Sequence, residues 1–212
     1  MSGAVDAPRL KMNRLTLLAL FGIFALPPLL GWFFMLNPQW LPNESINNGT
    51  LIHPPRPLSG LTLKFADDQV LDWQQLRDKW VFVLVNRGEC GEACLARLVD
   101  LRQLRRALAA ESRRVERMLI QLPDASGTVP TPPSAAGLEG TLLLQPVDAR
   151  AVDLVRALFQ LEGLEPTHQM FLIDPHGDLM MRHDLLALQP KQILKDLELL
   201  MKASANWVTG EN

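Results

Sequence analysis

The sequence predicts an α/β domain preceded by one transmembrane helix. Three observations carry this prediction. A strongly apolar run without charges lies near the N-terminus, and shorter apolar runs further along are typical of strands buried on both faces. Segments with apolar residues at helical spacing alternate with those strands, which indicates a sandwich around a mixed sheet. The 212 residues suffice for one ordinary domain plus such an appendage.

The first element is a membrane span over residues 15–36. No charged residue occurs between Arg14 and Glu44, and a helix of this length reaches roughly 33 Å, enough to cross the hydrocarbon core. A cleaved signal peptide is the alternative, but its apolar core is usually about 7–15 residues and ends in small residues. This run ends in large ones, including Trp32. We therefore expect an uncleaved anchor in the lipid bilayer, bent at Pro27-Pro28.

The charges that flank the span predict its orientation. Arg9, Lys11 and Arg14 precede it, whereas the next basic residue after it is Arg56. Basic residues stay on the cytoplasmic side, so residues 1–14 form a cytoplasmic tail and the domain lies outside. The N-terminus lacks the Arg- and Ser-rich character of a mitochondrial transit peptide. We therefore expect a bacterial inner membrane protein with a periplasmic domain.

The remainder divides into a linker, a domain and a tail. Residues 37–60 are rich in Pro and Asn and predict a periplasmic linker. The domain is expected over residues 61–207, followed by a short tail at 208–212. Between Pro123 and Gly140 lies a proline-rich segment, and so long a loop is usually functional or disordered.

Apolar periodicity and capping residues predict the elements of the domain in order. They are a strand at Leu61–Phe65, a short helix at Asp72–Asp78, a buried strand at Trp80–Asn86, a helix at Gly91–Glu111, a second buried strand at Met118–Leu122, a helix at Asp148–Leu161, a hairpin of Met170–Asp174 and Leu179–Arg182, and a last helix from Pro190.

The only two cysteines, Cys90 and Cys94, lie where the first buried strand gives way to the first long helix. A helix N-terminus stabilises a thiolate and lowers its pKa. The spacing of four brings the sulfurs to one side, where they can form a disulfide or share a soft metal ion. Outside the cytoplasm a disulfide is plausible. The alternatives are a pair of buried small hydrophobic residues or a purely structural disulfide, although so small a loop contributes little chain-entropy stabilisation.

The sequence resembles the SCO/SenC proteins in four features: a buried strand, a CxxxC at the start of the following helix, a membrane anchor and a late Asp-Pro-x-Gly hairpin. Segments such as Leu51-Ile-His-Pro-Pro-Arg-Pro-Leu resemble a subgroup of small transmembrane relatives associated with bacterial cytochrome oxidase. The resemblance implies a thioredoxin-like fold of the SCO/peroxiredoxin type and an accessory role in cytochrome c oxidase assembly. It also implies copper binding by two cysteines and a histidine, or thiol–disulfide exchange at the oxidase copper site.

The sequence departs from the family at the metal ligands. The prolines that usually follow each cysteine are replaced by Gly91 and Leu95. Aligned on Phe-Leu-Ile-Asp-Pro, the family's copper-binding histidine falls on Pro166. His168 follows two residues later, and two residues along a strand return to the same face. His168 is therefore a candidate copper ligand with Cys90 and Cys94; a polar residue at a strand edge is the alternative.

Other potential ligands are expected to have structural or solvated positions. Methionine sulfur is a possible Cu(I) ligand, but core packing is the expected role of these residues: Met170, Met180 and Met181. The remaining histidines are expected to be solvated: His53, His176 and His183.

Charge and motif content exclude several functions. The net charge of −2 does not indicate a nucleic-acid partner, and no HExxH, GxSxG, P-loop or GxGxxG pattern occurs. Residues 95–117 nevertheless carry seven arginines against three acids. A solvated helix face is the ordinary interpretation, and an acidic partner surface or anionic lipid is the functional one.

Three hypotheses follow. The first is an oxidase assembly factor that works through Cys90 and Cys94, by Cu(I) delivery or by reducing a disulfide in the copper-site subunit. The second is a general thiol–disulfide oxidoreductase or peroxide-handling protein. The third is a non-catalytic thioredoxin-like domain that binds oxidase subunits.

Overall fold

The computed structural model describes residues 14–37, 40, 47–128, 130–131, 133, 138–160 and 163–204. The predicted tail before residue 14, the domain end at Trp207 and the tail at 208–212 lie outside these ranges. The chain falls into two compact units, and the second begins at Asn47.

The first unit contains one long helix, α1, over Arg14–Leu36. It runs through both Pro27 and Pro28, and its large apolar side chains, such as Phe21 and Phe24, are exposed. Residues 16–36 form a helix long and apolar enough to cross a membrane. Exposed apolar side chains suit a lipid environment, and the helix supports single-pass membrane anchoring.

The second unit contains seven strands and three α-helices among its described residues. In chain order they are β1 (Thr50–Pro57), β2 (Leu63–Lys64), β3 (Trp80–Arg87), α2 (Glu92–Ala107), β4 (Val115–Leu122), β5 (Thr141–Pro146), α3 (Ala149–Leu158), β6 (Gln169–Ile173), β7 (Asp178–Asp184) and α4 (Pro190–Ala203). Short 3₁₀ helices lie between some of these elements, at Trp73–Leu76, Ala109–Arg114 and Pro166–His168.

The strands form one mixed sheet in the order β1-β7-β6-β3-β4-β5-β2. Strands β3, β4 and β5 are parallel, while β6, β7 and β1 continue the sheet antiparallel. Side chains from α3 pack on one face, and those from α2 and α4 pack on the other. The predicted α/β sandwich around a mixed sheet is confirmed.

The central strand β3 explains why the site forms where it does. Its residues Trp80–Asn86 are all buried, as the continuous apolar run predicts for a strand covered on both faces. The chain leaves β3 at Arg87 and turns at Gly88, whose φ of +71° favours glycine. Helix α2 then starts at Glu92, so the segment between them lies at the carboxyl edge of the parallel strands.

Two strands depart from the sequence prediction. Thr50–Pro57, predicted as part of the linker, forms β1 and pairs antiparallel with β7, so the domain begins at Asn47 instead of Leu61. Prolines are tolerated there because β1 is an edge strand. Strand β5, which the sequence analysis did not assign, pairs parallel with β4.

A buried polar network fixes the first residues of the domain. The carboxylate of Asp196 on α4 accepts hydrogen bonds from the backbone N–H groups of Asn48 (2.9 and 3.0 Å) and Gly49 (2.8 Å). His183 Nε2 lies 3.1 Å from Asp196 Oδ2, and both side chains are fully buried. The expectation of a solvated His183 is therefore wrong. The network ties the chain that enters β1 to β7 and α4.

Candidate functional site

Cys90 and Cys94 form a disulfide at the start of α2, with their Cα atoms 5.2 Å apart. Cys90 lies just before the N-cap residue Gly91, and Cys94 lies in the first turn of the helix. The turn from the loop into α2 therefore brings the two side chains to one side of the helix start. The structure thus brings together the two residues that the sequence singled out.

The two sulfurs differ in access to solvent. Cys94 is only 2% exposed and packs in the core with Leu98 and Leu101. Cys90 is half-buried and packs against the edge of the same core. An incoming thiolate must reach a sulfur along the disulfide axis, and only accessible sulfurs are attacked quickly. Cys90 is therefore the sulfur open to exchange.

The start of α2 provides an electrostatic environment suited to a thiolate. Gly91 has no side chain to cap the helix, so it does not compete for the N–H groups of the first turn. Those N–H groups and the helix dipole favour a negative charge. Glu89 and Glu92 flank Cys90 on the exposed side and oppose this effect, although solvent screens their charges.

A buried asparagine at the end of β3 shapes the loop that carries Cys90. Asn86 is 5% exposed, and its Nδ2 donates to the carbonyl oxygens of Gly88 (2.9 Å) and Glu89 (3.2 Å). Its Oδ1 accepts a hydrogen bond from Thr167 Oγ1 at 3.1 Å. These bonds connect the cysteine loop to the 3₁₀ helix at Pro166–His168.

Gln121 adds a second polar side chain beside Asn86. The two residues are partners in the parallel register of β3 and β4, so their side chains share one face of the sheet. Gln121 is fully buried, and neither its Oε1 nor its Nε2 has a hydrogen-bond partner. Neighbouring β3 and β4 positions on this face, Leu84 and Leu119, pack with Cys94.

Sequence reasoning missed Asn86, Gln121 and Thr167 as site residues. A signal was present for two of them: Asn86 and Gln121 are polar residues near the carboxyl ends of otherwise apolar strands. In open α/β sheets, ligand sites lie at those ends. Thr167 gave no comparable signal, because its position depends on how the chain approaches β6.

The geometry assumed for His168 is wrong. Residues Pro166–His168 form a 3₁₀ helix, not a strand, and at three residues per turn two positions lie about 120° apart instead of on one face. His168 is half-buried and lies near Asp184. Burial would raise the pKa of Asp184, but hydrogen bonds from the N–H groups of Leu186 and Ala187 outweigh it and lower this pKa. Among the described residues, no group of three or more His, Cys, Asp and Glu side chains could hold a metal ion.

The other potential ligands have the positions expected of them, apart from His183. Met170 and Met181 are buried core residues, and Met180 packs against the same cluster. His53 and His176 are exposed.

Comparison with known proteins assigns the chain to a family. Residues 80–204 match the family described as "Transmembrane-like, thioredoxin-like, C-terminal domain". The chain belongs to this family. The match extends from the start of β3 to the end of α4, and includes the cysteine pair. No curated protein sequence matches the chain.

Solved structures show the same fold in SCO proteins. Apo Sco1 from Thermus thermophilus superposes with a TM-score of 0.54 at 18% identity, covering 74% of this chain and 99% of that one. Copper-bound yeast Sco1 gives 0.53 at 14% identity, covering 67% and 90%. A SCO1/SenC family lipoprotein from Bacillus anthracis gives 0.50 at 14% identity, covering 70% and 98%. The predicted SCO/SenC-like thioredoxin fold is confirmed.

Proposed function

We propose that this family member is a membrane-anchored accessory factor for cytochrome c oxidase assembly that acts by thiol–disulfide exchange. The observation that carries the chemistry is the Cys90–Cys94 disulfide, with one half-exposed and one buried sulfur at a helix start. The shared fold with Sco1 supports the choice of pathway. The partner we propose is the oxidase subunit that carries a copper site with two cysteines.

The exchange proceeds in two steps that conserve atoms and electrons. In the reduced protein, the Cys90 thiolate attacks a disulfide in the partner, so that a mixed disulfide forms and one partner thiolate leaves. The Cys94 thiolate then attacks Cys90 Sγ, which restores the Cys90–Cys94 disulfide and releases the second partner thiolate. The partner is reduced by two electrons and this protein is oxidised. Asn86 positions the loop so that Cys90 stays within reach of Cys94.

Copper delivery is the second candidate, with Cu(I) as cargo. Cu(I) favours thiolate ligands, which this site offers only after the disulfide is reduced. Among the described residues, no His, Asp or Glu side chain joins the cysteine pair in a group that could hold a metal ion, so the arrangement fits thiol exchange better than the family's site of two cysteines and a histidine. The role of His168 as a ligand stays a prediction, and titration of the reduced full chain with Cu(I) tests it. Stoichiometric binding should be lost in Cys90→Ser, and the Cu(I) affinity should fall in His168→Ala. The control His176→Ala, at an exposed histidine, should bind Cu(I) as the wild type does.

We also propose that the domain faces the periplasm from a bacterial inner membrane. The basic residues before α1 support a cytoplasmic N-terminus. In an oxidising compartment the Cys90–Cys94 disulfide that each turnover leaves would persist, so a periplasmic dithiol reductant must restore both thiols before the next turnover.

Trapping of the mixed disulfide tests the proposal. In Cys94→Ser, the attacking thiol remains but the resolving one is missing, so the full chain should accumulate a covalent complex with the oxidase subunit in membranes. The matched variant Cys90→Ser retains only the buried sulfur and should trap none. Complexes should disappear on reduction and be identified by mass spectrometry.

The alternatives give different results in the same experiment. Complexes with many unrelated periplasmic proteins would indicate a general thiol–disulfide oxidoreductase. If neither variant traps a partner and both support oxidase activity, the redox proposal fails and a non-catalytic binding domain is favoured.

A further inference from the structure

The arginine-rich segment around α2 carries seven arginines against three acids over residues 95–117. Its three carboxylates are already in ion pairs, and each pair involves a residue other than Arg117. The pairs are Asp100 Oδ2 with Arg97 Nη1 (2.7 Å), Glu111 Oε2 with Arg114 Nη1 (2.8 Å) and Glu116 Oε1 with Lys79 Nζ (2.6 Å).

Arg117 does not lie on a solvated helix face. It is in β4 and only 2% exposed. Its strand neighbours on the same face, Val115 and Leu119, pack in the core beneath α2, so Arg117 points into that layer. Burial lowers the pKa of the Arg117 guanidinium, and the nearby charges of Arg105, Arg102 and Arg106 lower it further.

Only part of the Arg117 guanidinium is satisfied. Its Nη2 donates to the carbonyl oxygen of Glu139 at 2.6 Å, whereas Nε and Nη1 are buried without a hydrogen-bond partner. A turn holds the Glu139 carbonyl in place: Thr141 N–H donates to Leu138 O at 2.9 Å, and Gly140 has a φ of +72°. A buried charged group whose donors lack partners destabilises the fold, because it has lost its hydration without gaining hydrogen bonds in return.

A second unpartnered group lies next to Arg117. Thr141 is its register partner on β5, so the two side chains stand side by side on one face of the sheet, about 5 Å apart between strands. The Thr141 Oγ1 is buried and has no hydrogen-bond partner. A guanidinium and a hydroxyl that share a face, both able to donate, are suited to bind oxygen atoms of an anion.

We propose that Arg117 and Thr141 form a binding site for a small soluble oxyanion, a carboxylate or a phosphate. The anion accepts hydrogen bonds from Arg117 Nε and Nη1 and from Thr141 Oγ1, and its charge offsets that of the buried Arg117 guanidinium. The site lies on β4 and β5 and does not depend on the cysteine chemistry proposed above.

Binding of inorganic phosphate and of citrate to the full chain in detergent tests the site. Calorimetric titration at constant ionic strength should give saturable binding of at least one of them, with a rise in thermal stability. Loss of hydrogen bonds from a charged group should weaken that affinity about tenfold or more in Arg117→Met. The control Arg113→Met removes the same charge from an exposed arginine and should bind as the wild type does.

Thr141→Val keeps the proposal testable if Arg117→Met does not fold. It preserves the shape of the side chain and leaves the guanidinium in place, and it should weaken binding without loss of helical circular dichroism. Equal binding in wild type, Arg117→Met and Thr141→Val would overturn the proposal. The absence of saturable binding of either anion to the folded wild type would overturn it as well.

Discussion

Cys90 and Cys94 share a disulfide, but their surroundings give them different roles. Cys94 is enclosed by core residues of α2, whereas Cys90 borders the loop that Asn86 holds. The same contrast between burial and access applies to His183, which the sequence predicted to be solvated but which is fully buried against Asp196. At the residue scale, burial determines which groups exchange electrons or protons with the surroundings.

The unequal exposure predicts unequal reactivity in the reduced protein. Iodoacetamide should modify Cys90 about tenfold faster than Cys94, because reaction requires an accessible thiolate. Peptide mass spectrometry after timed quenching measures both rates in one sample. In denatured protein the two rates should converge. Equal rates in the folded chain would contradict the assignment of Cys90 as the exchanging thiol.

The His183–Asp196 pair predicts that stability falls at acidic pH. Burial lowers the pKa of His183 below its usual 6.5 despite the hydrogen bond to Asp196, so below pH 6.5 the unfolded chain binds a proton that the folded chain rejects. Burial would raise the pKa of Asp196, but hydrogen bonds from Asn48 and Gly49 outweigh it and lower this pKa. This second contribution is lost only as pH falls below about 4.

Chemical denaturation of the full chain in detergent at pH 7.5 and pH 5.5 measures the first effect. The free energy of unfolding should decrease at the lower pH, and the decrease should shrink in His183→Gln. The exposed His176→Gln is the matched control and should retain the full decrease. An identical pH dependence in all three proteins would contradict the role of His183.

At the scale of elements, apolar pattern was a sound guide where a strand is buried on both faces. WVFVLVN in β3 is such a case. It failed at β1, because Pro54, Pro55 and Pro57 are typical of a linker and only the tertiary structure shows that they occupy a sheet edge. It failed at residues 166–168 for a related reason, since the 3₁₀ turn there depends on packing against β3 and α2. Local sequence does not encode such contacts between distant elements.

The entry into β1 predicts a sensitive glycine. A Cβ atom at position 49 would lie 2.6 Å from His183 Nε2 and 3.0 Å from the Arg182 carbonyl oxygen, so Gly49→Ala must displace the buried network. We expect a loss of about 1–3 kcal/mol in the free energy of unfolding, as for overpacking elsewhere. Gly60→Ala is the matched control, because no atom lies within 4 Å of its added Cβ. Equal stability of the two variants in urea denaturation would contradict this account of Gly49.

At the scale of the whole molecule, the sequence allowed the anchor, the sandwich and the cysteine pair to be predicted, because each depends on composition or spacing within one segment. The polar groups around the pair were not predictable, since Asn86, Gln121 and Thr167 meet only when β3, β4 and the turn before β6 are assembled. For the proposed function, the orientation of the anchor matters, because the Cys90–Cys94 disulfide would persist only if the domain lies in an oxidising compartment.

Orientation can be tested through the basic residues before α1. A C-terminal fusion to an enzyme that is active only outside the cytoplasm should be active on the wild-type chain. Replacing Arg9, Lys11 and Arg14 with Glu should lower that activity severalfold, because the positive charges that hold the N-terminus inside are removed. The control replaces three basic residues beyond the span, Arg56, Lys64 and Arg77. It should leave the activity of the fusion unchanged, because orientation depends on charges close to the span and a long domain is translocated regardless of its own charge. Full activity of the fusion after the first substitution would contradict the proposed topology. An inactive fusion on the wild-type chain would also contradict it, because the domain would then lie in the cytoplasm, where the disulfide is not expected to form.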